Sequence, residues 1–253
     1  MKELFVKVYN FFDDDIPYHS ASLSFFTIFS ILPLLALLIV VISSLSSFEQ
    51  HTTLLMSYIV DFINPTHSST IANFLDKFLE NTDKLGSIGI FYLLFVFTMF
   101  FRDYEHIINK IYGTKTRAIY KLFFLYLGFL ILIPILFVVY ILISTFLIFT
   151  FSGYIFAFLF LWLLFIALFI LSANTDVKFL AAAISSLVTI IALSVTKSLF
   201  GYYVTVNTTY TTIYGSFSVI LFFFLWIYIS WNIYLYGTKI CCILNQRESQ
   251  NEH

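Results

Sequence analysis

Residues 219–229 read VILFFFLWIYI, and residues 93–101 read LLFVFTMFF. Both are apolar at odd and even positions alike. A membrane β-strand alternates apolar and polar residues over roughly ten positions. A run that is apolar on both parities fits a helix surrounded by hydrocarbon. Helices, not a barrel, are therefore expected throughout.

The surrounding sequence has the same character. The chain of 253 residues is 60% hydrophobic and 11% charged, with a mean hydropathy of +0.95. A soluble domain is about a quarter charged, so lipid is the expected solvent for most of this chain. Residues 16–48, 122–175 and 198–238 hold no Asp, Glu, Lys or Arg. A spanning helix needs about 20 apolar residues, so these runs accommodate one, two and one spans. The shorter runs 85–101 and 179–196 add one each. The expected fold is all-α: a polytopic bundle of six transmembrane helices at 16–45, 86–103, 122–150, 154–172, 178–200 and 214–240, forming a single membrane domain over 1–253. The first apolar run is too long for the apolar region of a cleavable signal peptide.

Lys and Arg set the expected orientation. Lys2, Lys7, Arg102, Lys110, Lys115, Arg117, Lys121, Lys178, Lys239 and Arg247 fall on one side of a six-span chain. Lys77, Lys84 and Lys197 fall on the other. The positive-inside rule places the first group, and both termini, in the cytoplasm. In a bacterial cell this is a multi-pass protein of the inner membrane.

The loops carry further pattern. Leu54, Leu55, Tyr58, Ile59 and Phe62 have helical spacing, as do Ile71, Phe74, Leu75, Phe78 and Leu79. Asn64-Pro65 separates the two sets, because the residue before Pro leaves the helical region. Two short amphipathic helices are expected within the outer loop 46–85, and a third in 1–15. Ser152-Gly153 is expected as a turn. Asn174 or Thr175 is expected to cap the fifth span, and 241–253 to form a cytoplasmic tail.

The order of these pieces resembles the YihY/BrkB family of bacterial inner-membrane proteins. Three stretches carry the resemblance. The first is HSASLSFFTIFSILPLLALL (19–38), a small-residue-rich entry followed by Ser30-x-x-Pro33-Leu34. The second is FINPTHSSTIANFLDKFLENTDKLGSIGI (62–90), followed by the charged exit FRDYEHIINKIYGTK (101–115). The third is IYGSFSVILFFFLWIYISWNIYLYG (213–237). Two departures stand out. Ala173 and Asn174 occupy a loop where the family often has Pro, and Lys239 stands where it often has an acid. Family members carry labels as tRNA-processing ribonucleases, as serum-resistance or virulence factors, and as movers of lipid or lipopolysaccharide precursors. The resemblance implies fold and location more directly than activity.

Catalytic patterns are sparse. Metal-dependent RNA cleavage needs clustered His, Asp or Glu. His19, His51, His67, His106 and His253 are scattered, and none sits in a His-x-His or His-Glu-x-x-His pattern. Asp13-Asp14-Asp15 reads as a solvated helix end. There is no Gly-x-Ser-x-Gly and no phosphate-binding glycine loop. Arg102, Asp103, Glu105 and His106 form a charged helix end; on a helix Arg102 and Asp103 point apart, while Asp103 and His106 share a face. Cys241 and Cys242 are adjacent and have no other Cys to pair with. No catalytic residue, metal, cofactor or nucleic-acid partner is expected.

Hydroxyls inside the first span are more informative. At about 100° per residue, Ser20, Ser24 and Thr27 lie within about 60° of one another. Ser30 continues the stripe, and Pro33 crowds the carbonyl of Phe29, marking a kink. Such a stripe either lines a pathway or packs closely on a neighbouring helix. Asn232 is the most polar group well inside the sixth span. Lys197 either snorkels to outer headgroups or meets an anionic ligand. The leading expectation is a transporter or translocation factor for a lipid-like or envelope-related substrate, with membrane lipids as partners. Its pathway is expected at Ser20, Ser24, Thr27, Ser30, Pro33 and Asn232, with Lys197 at the outer mouth. The competing expectation is a non-catalytic scaffold of an envelope complex, and a ribonuclease ranks last.

Overall fold

The computed structural model describes the backbone of residues 15–43, 73, 77, 87–146, 150–207, 212, 214–215 and 217–251; side chains are described mainly over 15–30, 94–132, 158–207 and 220–250. Six long helices stand in order: α1 (Ile16–Ser43), α2 (Ser87–Tyr112), α3 (Ile119–Phe146), α4 (Thr150–Ser172), α5 (Phe179–Val206) and α6 (Phe217–Asn251). No strand occurs among the described residues. Of these helices, α5 and the Ile220–Gln250 part of α6 are long and apolar enough, over described residues, to cross a bilayer. The amphipathic helices expected in 1–15 and 46–85 lie outside the described residues, apart from Asp15, Asn73 and Lys77.

Several boundaries move from expectation. The second helix runs through the charged exit to Tyr112, because Tyr104, Glu105, Ile108 and Asn109 all face inward and are buried. It ends in a Schellman motif. Gly113 takes φ 67°, its N–H donates to Lys110 O at 3.2 Å, and the N–H of Thr114 donates to Asn109 O at 2.8 Å. Ser152-Gly153, expected as a turn, lies in the first turn of α4, where backbone N–H groups have no intrahelical acceptor in any case. The N-cap of α5 is Lys178 rather than Asn174 or Thr175, and no side chain caps it. Asn174 is engaged elsewhere: its Nδ2 donates to Lys115 O at 2.7 Å. The final helix continues past Cys241 and Cys242 to Asn251, so most of the expected tail is helical. The helix α1 runs unbroken through Pro33.

Packing centres on α6 and α2. The former touches α5, α1 and α2, and the latter touches α1, α3 and α4 as well. Small residues set the α5–α6 approach. Ala181, Ala182, Ala183, Ser185, Ser186 and Thr189 are buried along α5. Opposite them is Gly237, where an added Cβ would lie 2.0 Å from Thr189 Oγ1 and 3.2 Å from Phe169 Cζ. Close backbone approach through small residues is how helices associate without a hydrophobic driving force. Large side chains point outward in turn: Phe29, Phe91, Leu199 and Tyr202 are all exposed.

Candidate functional site: an aromatic cavity and a polar knot

Between the helices lies a cavity of about 340 Å³. Thr27 of α1, Phe100, Phe101 and Tyr104 of α2, and Phe165 and Leu168 of α4 form one side. Leu193 of α5 and Trp226, Ile227, Ser230, Trp231 and Tyr234 of α6 complete it. The lining is aromatic because these positions recur at helical spacing on inward faces: 97, 100, 101 and 104 on α2, and 226, 227, 230, 231 and 234 on α6.

Polar groups at this cavity are spent on one another. The Trp231 Nε1–H donates to Thr27 Oγ1 at 2.8 Å, and the Thr27 hydroxyl donates to Leu23 O at 2.6 Å. Tyr104 and Tyr234 share a hydrogen bond between their hydroxyls. The Ser230 hydroxyl donates to Trp226 O at 2.8 Å. Rings of Trp231 and Tyr234 meet edge to face at 5.6 Å, and Tyr104 lies 5.9 Å from Trp231. What remains facing the space is hydrocarbon and ring surface. Such a lining accommodates an apolar occupant and offers little to an ion or a sugar.

Adjacent to the cavity, toward the end of the bundle with the α2–α3 and α4–α5 connections, is a polar knot. Glu105 is 0% exposed. Its Oε1 accepts the Arg117 backbone N–H at 2.8 Å, and Arg117 Nη1 lies 3.6 Å from Oε2. The same guanidinium donates to Ser172 O at 3.2 Å and Ala173 O at 2.5 Å. It thereby satisfies carbonyls at the end of α4, where cations are favoured. Asn109 Oδ1 accepts from Thr114 Oγ1 and the Asn174 N–H, each at 2.7 Å. Asn245 of α6 closes the knot, accepting the Lys178 N–H at 2.8 Å and donating to Asp176 O at 3.0 Å. Among the described residues, no group of three or more His, Cys, Asp or Glu is placed to hold a metal ion.

The residues singled out from sequence separate in space. Thr27 lines the cavity. Ser20, Ser24 and Ser30 are buried against neighbouring helices, their hydroxyls donating to Ile16 O, Ser20 O and Phe26 O at 2.9, 2.5 and 2.7 Å. Asn232 is half-buried, and its Nδ2 donates to Tyr228 O at 3.1 Å. Lys197 is half-buried on α5, and neither it nor Asn232 is among the cavity-lining residues. The side chain of Pro33 lies outside the described residues. Sequence reasoning missed Tyr104, Tyr234, Arg117 and Asn109. A buried-aromatic stripe was visible on α2 and α6, but nothing in the chain order pairs Arg117 with residues 172 and 173.

Comparison with known proteins agrees with this architecture. A family model described as Virulence factor BrkB matches residues 8–253. A UPF0761 membrane protein of Glaesserella parasuis is 30% identical, with 81% of this chain and 77% of that protein covered. One from Actinobacillus pleuropneumoniae is 28% identical over 91% of this chain and 89% of its own length. A third, from Mannheimia succiniciproducens, is 27% identical over 96% and 90%. No solved structure matches the chain. Apolar helices, inward-facing aromatics and relatives that are membrane proteins converge: the chain belongs to the BrkB family of membrane proteins.

Proposed function

We propose that the protein accommodates an apolar, lipid-like molecule within the bilayer and moves it between leaflets. The observation that carries this reading is the cavity whose polar groups are satisfied internally, leaving about 340 Å³ walled by rings and aliphatic chains. A transporter of ions or sugars needs convergent polar groups turned into the space. Here they are turned into one another. Among the residues expected to form a pathway, Thr27 carries the weight. It sits at the wall and holds Trp231 in place.

In this reading all six helices span a bacterial inner membrane, with both termini in the cytoplasm. That orientation puts the knot of Glu105, Arg117 and Asn245 at the cytoplasmic end. The substrate is an envelope lipid or a precursor of one, carrying its acyl portion through the aromatic space. The experiment is leaflet exchange of a fluorescent phospholipid in liposomes containing the purified protein. Exchange above protein-free liposomes, lost when Leu193→Trp fills the space, is the expected result. Equal exchange with and without protein would sink the reading and favour a scaffold.

A further inference from the structure

On the side of α2 facing away from the central cavity are two adjoining hollows of about 460 and 490 Å³. They share His106 and Thr116. Met99, Arg102, Asp103, Arg117, Ile119 and Leu122 line the first; Lys110, Thr114 and Lys115 complete the second. Although Arg102 and Asp103 are successive residues, both reach the same hollow, because it wraps around the helix toward the start of α3.

Charge at this place is unbalanced. Arg117 is committed to Glu105 and two carbonyls, and Lys110 to Asp15 at 3.2 Å. That leaves Arg102 and Lys115 against Asp103, two cations against one anion, with His106 between them. No ion pair to Arg102, His106 or Lys115 occurs among the described residues. The first turn of α3 opens onto the same hollow at Ala118 and Ile119, adding its partial positive charge.

Apolar surface runs straight into this basic site. Phe91, Phe95 and Met99 are 76%, 53% and 41% exposed. Together with Arg102 and His106 they occupy one face of α2, at helical steps of four, four, three and four. Across from them on α3, Tyr120 and Phe124 are exposed. A basic recess continuous with a lipid-facing aromatic stripe is complementary to an amphiphile, with the acyl chains along α2 and the headgroup among the cations. We infer that the hollow between α2 and the start of α3 is a binding site for the phosphate headgroup of an anionic phospholipid. Basic pockets between helices at the cytoplasmic face take such headgroups in general. The site is separate from the central cavity and does not depend on any transport activity.

The test is lipid retention by the full chain, purified in detergent from a mixture of anionic and zwitterionic phospholipids of identical acyl chains and followed by native mass spectrometry. Anionic lipid should be retained preferentially. Arg102→Gln/His106→Gln should lower that retention about fivefold or more, on the scale of one to two cationic contacts. Arg102→Lys and Leu193→Trp should preserve it, which separates loss of charge from misfolding and from effects at the central cavity. Equal retention of the two lipids, or an unchanged double variant, would overturn the site. Inorganic phosphate as a competitor distinguishes the sources: displacement of the lipid by millimolar phosphate would make this a soluble-anion site and overturn the lipid assignment.

Discussion

Trp231 on α6 donates its indole N–H to the hydroxyl of Thr27 on α1 at 2.8 Å, joining two helices across the wall of the central cavity. The bond explains why a hydroxyl stands at position 27 in an otherwise aromatic lining. An indole N–H facing hydrocarbon without an acceptor is costly.

Thr27→Val keeps the shape and removes the acceptor. It should destabilise the protein by about 0.6–2 kcal/mol, the range for interhelical hydrogen bonds in membranes. Thr27→Ser should cost less than Thr27→Val. The readout is the unfolding midpoint in detergent, together with tryptophan fluorescence, which should shift as the indole changes partner. Equal midpoints for the Val and Ser variants would show that the bond is incidental to packing.

Glu105 and Arg117 make a stronger case, because both ends are desolvated. Arg117→Met leaves a fully buried carboxylate facing no cation, and it strips the acceptor carbonyls of Ser172 and Ala173 of their donor. The expected cost is about 3–5 kcal/mol, typical of removing one partner of a buried pair. Glu105→Gln retains an oxygen for the Arg117 backbone N–H and should cost less. In thermal unfolding the double variant Glu105→Gln/Arg117→Met should fall above Arg117→Met alone. If it falls below by the sum of the two single effects, the two residues are not coupled.

How much of this was legible in sequence depends on range. Helices were readable because each long apolar run, ended by charge, is a local property of contiguous residues. The face of α1 was readable too, since Ser20, Ser24 and Thr27 follow a fixed 100° step. What that face touches was not, because it depends on α6, some 200 positions away. Thr27 meets Trp231, whereas Ser20 and Ser24 donate to their own helix. The charged exit of the second helix looked like a simple anchor. Its Glu105 turned inward because Arg117, twelve residues later, returns to meet it after the Gly113 turn. Asn174 was read as a helix cap from its residue type. The competing acceptor, Lys115 O, belongs to another loop and leaves no local trace.

Gly237 was visible as a closing glycine, and the structure gives it a specific task. A methyl group there would sit 2.0 Å from Thr189 Oγ1 and 3.1 Å from its Cβ. The variant Gly237→Ala should therefore push α5 from α6 and destabilise by about 1–3 kcal/mol, the usual scale of overpacking. Adding Thr189→Ala removes the nearest atom and should recover part of the loss. Unfolding midpoints of the single and double variants decide it: no recovery would mean that Phe169, at 3.2 Å, is the obstacle.

Asn245 holds the last described turns of α6 against the connection between α4 and α5. Both ends of its amide are used, by the Lys178 N–H at 2.8 Å and the Asp176 carbonyl at 3.0 Å. Lys178 is the N-cap of α5 and has no side-chain cap, so this contact from another helix fixes where α5 begins. Asn245→Ala should cost about 1–3 kcal/mol, because two largely buried backbone groups lose their partner. Asn245→Asp keeps the acceptor for Lys178 and loses the donor to Asp176, so it should be intermediate. Hydrogen exchange gives a local reading that global unfolding does not. The Lys178 amide should exchange faster in Asn245→Ala and stay protected in Asn245→Asp, while amides in the middle of α5 remain unchanged. Equal protection of Lys178 in all three proteins would mean that the loop is held by its other contacts, with Asn174 and Arg117 sufficient to place it.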